Sequence, residues 1–161
     1  MSSIFDLFRK IETEKAPPAP VTHIVAGLGN YGREYEGTRH NAGFSAIDIL
    51  SDRKKLSVTR AKFDALTDET VINGKRILVM KPQLYMNLSG VSVKKAADFY
   101  KIPAENIIVI CDDINLDVGK LRIRRKGSDG GQKGLRNIAE QLGTDAFPRI
   151  RVGVGKVPVG G

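Results

Sequence analysis

The chain has 161 residues, 41% hydrophobic and 27% charged, which is ordinary for one soluble globular domain with its own core. A single cysteine, Cys111, excludes a disulfide framework and any Cys-x-x-Cys metal site. No run approaches the roughly 18 apolar residues of a transmembrane helix, and the opening MSSIFDLFRKIE carries charges where a secretory signal needs an apolar stretch, so a reducing cytoplasm is expected. The formal net charge of +8 points to a polyanionic partner, with RNA, DNA and an anionic membrane surface all eligible, or to solubility alone.

Residues 4 to 11 set Ile4, Phe5, Leu7, Phe8 and Ile11 at helical spacing, and APPAP at 16 to 20 breaks any helix. Residues 1–20 therefore read as an amphipathic arm on a Pro-rich linker, and 21–161 as the domain. HIVAGLG at 23 to 29 reads as a strand, and 41 to 54 as a helix with Phe44, Ile47 and Leu50 on one face. The stretches 61 to 71 and 75 to 81 flank Asn73-Gly74, a dipeptide that closes two-residue hairpins, and predict an antiparallel pair. A helix over 88 to 100 stops before Pro103, and NIIVICDD at 106 to 113 reads as a buried strand ending in acid.

In the strand predicted over 119 to 126, Lys120, Arg122 and Arg124 share one face and Leu121 and Ile123 the other. GSDGGQKG at 127 to 134 reads as a glycine-rich loop and 135 to 142 as a short helix. RIRVGVG at 149 to 155 reads as a strand with Arg149 and Arg151 on one face. The order predicts a single α/β domain with a mixed, parallel and antiparallel, sheet between helices.

Gly27-x-Gly29-x-x-Gly32 matches a dinucleotide-binding turn, which requires a helix beginning within the glycines and an acid about 20 residues on at the end of the next strand. Here a polar loop through Thr38 follows Gly32, and Asp48 and Asp52 fall inside the predicted helix, so the pattern does not make a nucleotide site. Instead, Gly27 and Gly29 are expected to turn the chain tightly so that Asn30 faces a site. GSDGGQKG lacks the Gly-Lys-Ser/Thr of a phosphate loop.

His40 follows the first strand, and Asp112 ends another. If the sheet brings these ends together, the carboxylate can fix the imidazole tautomer and leave the other nitrogen to take a proton from water. From spacing alone, a helix cap at His40 and a solvated acid at Asp112 remain equally open. Asn30, Asn41 and Asn87 sit at element ends, where amides either serve a developing oxyanion or cap helices. Cys111 reads as strand packing, with a thiol nucleophile activated by His40 as the rival. His23 gives no chemical signal.

Taken together, GLGNYGREYEGTRHNAGF, KPQLYMNLSG, VICDDINLDVGKLRIR, GSDGG followed by GLRNI, and RIRVGVG resemble bacterial-type peptidyl-tRNA hydrolase, over about residues 22 to 157. The resemblance implies cleavage of the ester between a peptide and the 3′ ribose of tRNA, without metal or cofactor; no membrane partner is expected, and with no coiled coil or long exposed apolar seam in the sequence a monomer is expected. It implies that His40 is the base activating water, that Asp112 holds and polarises it, and that Asn30 senses the peptide. Asn87 would bind the substrate backbone near the scissile carbonyl, Tyr35 and Tyr85 would line the groove, and Arg124 and Arg151 would grip tRNA phosphates.

Three departures stand out. Tyr31 occupies the usual proline position, and Gln132-Lys133 stands where the family has His-Asn, so Lys133 is expected to contact RNA phosphate instead. The family's lid-forming loop and C-terminal helix have no counterpart after RVGVGK. A tRNA-binding module with impaired or no turnover is the alternative reading.

Overall fold

The computed structural model describes residues 19–30 and 41–155, together with Ile4. The rest of the expected arm, the segment 31–40 with Tyr31, Tyr35 and His40, and residues 156–161 lie outside the described residues. Seven strands form one sheet in the order β2-β3-β4-β1-β5-β7-β6. In chain order the elements are β1 (Val21–Gly27), α1 (Ala42–Lys54), β2 (Arg60–Lys62), β3 (Ala65–Ile72), β4 (Lys75–Pro82), α2 (Ser89–Tyr100), β5 (Ile107–Asp113), β6 (Leu121–Arg124), α3 (Lys133–Leu142) and β7 (Arg149–Gly153). The four central strands, β4, β1, β5 and β7, run parallel, and the antiparallel pairs β2-β3, β3-β4 and β6-β7 extend the sheet to both edges. The sheet is mixed, as the alternation of helices and hairpins predicted.

The central strands are apolar at successive positions because both their faces are covered. Ile24, Ala26, Leu78, Met80, Ile107, Val109 and Cys111 pack with Val93, Ala96 and Ala97 of α2 and Leu135 and Ile138 of α3. The alternate residues Val25, Ile77 and Val79 meet Ile47 of α1, with Leu50, Ile108 and Ile110 against them. Asn73 and Gly74 have φ of 51° and 76°, the two left-handed residues of a hairpin turn, and Ile72 pairs with Lys75 across them.

The strand predicted over 61 to 71 is broken by a second turn. Phe63 and Asp64 adopt φ of 57° and 55° between Lys62 and Ala65, a conformation that no glycine announces. Tertiary contacts hold it: the Phe63 ring stacks obliquely on Phe99 and edge-on to Tyr100, with centroids 5.5 and 5.9 Å away. Ser92 Oγ donates to the Phe63 carbonyl at 2.6 Å, and Gln83 N–H to that of Asp64 at 2.8 Å.

Gly27 and Gly29 serve a purpose other than the tight turn expected of them. Neither lies in the left-handed region. A Cβ on Gly27 would fall 2.4 Å from the Gly43 carbonyl oxygen, and one on Gly43 would fall 2.3 Å from the Leu28 backbone. The glycines thus let α1 lie directly on the end of β1. Since α1 begins only at Ala42, its N-terminus is not within the glycine turn, and the dinucleotide reading fails on structure as well.

Candidate functional site

Asn30 after β1, the turn after β4 and the end of β5 converge at the carboxyl edge of the parallel strands, where open α/β sheets hold their ligands. A cavity of about 530 Å³ opens there, lined by Asn30, Met86, Asp112, Asp113, Gln132, Lys133 and Arg151 among others. Asn30 follows β1, Met86 starts the 3-10 turn Met86–Leu88 after β4, Asp112 and Asp113 end β5, and Gln132 and Lys133 open α3.

Asp112 is 7% exposed at its strand end. The Nε2 of Gln132 lies 3.4 Å from its Oδ1. Asp113, equally buried, accepts the backbone N–H of Asn115 at 2.8 Å and faces the Arg151 guanidinium at 3.8 Å. The backbone N–H of Asn30 donates to Oδ1 of the buried Asn41 at 2.8 Å. Asn41 occupies the N-cap position of α1 without making a side-chain cap bond, so its expected capping role is replaced by this tie to Asn30. Asn87 likewise caps no helix: α2 follows Leu88, with no side-chain cap.

Cys111 is fully buried among the core residues shared with α2 and α3. Burial, above all, pushes its thiol up to about 12, so it is neutral at physiological pH, and the thiol-nucleophile rival is set aside.

A second cavity of about 280 Å³ shares Asp113, Asn115, Gly130 and Arg151 with the first and is also lined by Arg122, Arg124, Lys126 and Arg149. Its charge comes from register: Arg122 pairs with Arg151 and Arg124 with Arg149 across β6 and β7, so the two basic faces read from alternation form one ladder. The four arginines differ in their freedom. Arg122 and Arg124 are exposed. Arg151 is 9% exposed and donates to the Ser128 carbonyl at 2.9 Å. Arg149, at 2% exposed, donates to the carbonyls of Gly127, Phe147 and Asp145 and lies over the Phe147 ring. Desolvation, chiefly, holds its guanidinium below its ordinary value. The glycine loop 127–132 is therefore fastened from beneath by Arg149 and Arg151.

Of the residues singled out in sequence, the cavity brings together Asn30, Asp112 and Arg151, with Arg124 in the adjoining basic pocket. Tyr85 and Asn87 are exposed on either side of Met86 and do not line it. His40 and Tyr35 lie outside the described residues. Sequence reasoning passed over Met86, Asp113 and the contact of Gln132 with Asp112. It also began the last helix at Leu135, whereas α3 starts at Lys133, because Gly134 there is a packing glycine rather than a loop residue. Among the described residues no group of three His, Cys, Asp or Glu could hold a metal ion, and no helix is long and apolar enough to cross a membrane.

The chain is similar to known proteins in sequence and in fold. The family model described as Peptidyl-tRNA hydrolase matches residues 24–160. A protein named Peptidyl-tRNA hydrolase from Caldanaerobacter subterraneus subsp. tengcongensis is 53% identical over 134 residues, which are 83% of this chain and 72% of that one. One from Clostridium novyi is 51% identical over 83% of this chain and 71% of its own length. The crystal structure of peptidyl-tRNA hydrolase from Acinetobacter baumannii superimposes with a TM-score of 0.79 at 34% identity, covering 88% of this chain and 72% of that one. The sheet order, the polar cavity at its carboxyl edge and this similarity across most of the chain agree, and the chain belongs to the peptidyl-tRNA hydrolase family.

Proposed function

We propose that the chain hydrolyses the ester joining a peptide, or an N-blocked aminoacyl group, to the 3′ end of tRNA. The observation that carries this reading is the continuity of the two cavities. A carboxylate-bearing pocket at the sheet's carboxyl edge opens onto a row of arginines able to meet a phosphate backbone. Base-independent contacts of that kind suit an enzyme that accepts many tRNAs.

In this mechanism His40 is the general base. Asp112 accepts a hydrogen bond from the N–H of one imidazole nitrogen and fixes the tautomer, so that the other nitrogen removes a proton from the attacking water. Water adds to the ester carbonyl, and the tetrahedral intermediate collapses with departure of the tRNA 3′ oxygen, which takes up the proton that His40 removed from water. No metal or cofactor enters these steps. Asn30, in the cavity wall, contacts the peptide side of the ester and separates peptidyl from free aminoacyl substrates. Asn87, exposed on the turn after β4, binds the substrate backbone near the scissile carbonyl, and Tyr85, exposed beside it, lines the groove with Tyr35. Arg124 contacts tRNA phosphate directly. Arg151, being nearly buried, acts at least as much by holding the glycine loop.

The test is release of free tRNA from an N-blocked aminoacyl-tRNA by the chain and its His40→Ala variant. Turnover that disappears in the variant while tRNA affinity persists supports the reading. A chain that binds tRNA but never releases the acyl group rejects it in favour of a binding module.

A further inference from the structure

Gln132 precedes the first turn of α3, and both ends of its side-chain amide are engaged. Its Oε1 accepts the backbone N–H of Leu135 at 2.8 Å, which makes it the N-cap of the helix. That bond decides the orientation of the amide. With the oxygen committed to the helix, the NH2 group faces the cavity, 3.4 Å from Asp112 Oδ1 and 3.4 Å from Met86 Sδ. An amide nitrogen can only donate, and an ionised carboxylate can only accept, so the contact has one polarity.

The helix that carries Gln132 is itself firmly seated. The side-chain Oδ1 of Asn137 accepts the backbone N–H of Gly90 at 2.7 Å in a buried site, tying α3 to α2. A Cβ at Gly134 would fall 2.6 Å from Leu28, 2.9 Å from Met86 Sδ and 3.0 Å from Gln132 Oε1. The missing side chain at 134 is what allows the capped helix end to approach Met86 and the strand ends.

We propose that Gln132 is a positioning residue for Asp112: the amide fixed by its own helix cap donates to one carboxylate oxygen and holds the group in a single orientation. Its kinetic consequence rests on the hydrolase reading above; the contact does not. One side chain thereby links the glycine loop, the start of α3 and the acid of the cavity.

Two variants separate capping from the contact. Gln132→Asn keeps a good N-cap but is one methylene too short to reach Asp112, and Gln132→Glu keeps the reach and an accepting oxygen but replaces the donor with a like charge. Both are expected to keep the melting temperature of the parent. In the tRNA-release assay both should lower kcat by about tenfold, with Gln132→Glu the slower, and leave KM within about twofold. Unchanged kcat in Gln132→Glu overturns the proposal, as does a loss of kcat that merely follows a fall in melting temperature. A readout without turnover is the side-chain NH2 resonance of Gln132, which should move in Asp112→Ala; a resonance that stays in place overturns the proposal. If the parent chain releases no tRNA, the hydrolase reading falls by itself, and the amide resonance still decides this one.

Discussion

Across eleven positions of sequence, the side-chain oxygen of Asn41 accepts the backbone N–H of Asn30 at 2.8 Å. The bond joins the exit of β1 to the start of α1, and therefore the two ends of the segment that carries His40. Removing it leaves a partly buried donor without its acceptor, at about 1–3 kcal/mol. Asn41→Ala should lose about that much unfolding free energy. It should also lose turnover, because the residue next to the proposed base is no longer anchored. Asn41→Asp, which keeps an accepting oxygen, should recover most of both. Urea unfolding and tRNA release measure the two effects separately.

Cys111 offers a pH-dependent prediction. Its folded value is raised from 9.0 to about 12, mainly by burial, so the neutral thiol is the folded form. The associated stability is complete below the ordinary thiol value and is lost as pH rises from there toward 12, with a slope approaching ~1.4 kcal/mol per pH unit. Cys111→Ala should flatten that alkaline decline, to which Tyr100, its value raised mainly by burial, also contributes, while tRNA release at neutral pH stays near the parent's. Denaturant midpoints from pH 8 to 11 test the first part, and a large loss of turnover in the variant would revive the thiol as a reactant.

Arg149 is held by the Gly127 carbonyl at the start of the glycine loop and by the Asp145 and Phe147 carbonyls just before β7, and has little exposed surface. Its truncation to alanine leaves those carbonyls without their donors and a space beneath the loop, so a loss of about 3–5 kcal/mol is expected. Arg149→Lys should recover only part of it, because an ammonium cannot span the same carbonyls in a plane. Thermal unfolding of the two variants provides the check.

The exposed cations on the RNA side should behave differently. Arg122→Ala and Arg124→Ala should each weaken tRNA binding without regard to sequence and reduce the slope of log affinity against log salt by about one. Lys133, at the cavity rim on the first turn of α3, is expected to do the same. A salt slope unchanged by Lys133→Ala would remove it from the phosphate contacts.

Some of this structure was legible from local chemistry. Asn73-Gly74 announces its turn because both residues accept left-handed dihedrals readily, and Cys111 reads as core because it continues the apolar run of β5. Phe63-Asp64 was not legible, since that turn is imposed by Phe99, Tyr100, Ser92 and Gln83, residues well removed in sequence. The arginine faces of β6 and β7 follow from alternation, but the register that joins them is a property of the folded sheet. The contact of Gln132 with Asp112 spans 20 positions and has no periodic signature. Glycines looked like turn formers at Gly27 and Gly29, whereas close approach of α1 is what requires them.

β6 ends the strand order, and Leu121 and Ile123 stand well exposed on the face opposite its arginines. A short outer strand with apolar residues is a template on which another chain can add a strand, and cations along it are one of the ways proteins prevent this. Arg122 and Arg124 place charge of this kind along the β6 border. Replacing both to study RNA contacts would also unmask an aggregation-prone border, so colloidal stability and tRNA affinity draw on the same pair of charges.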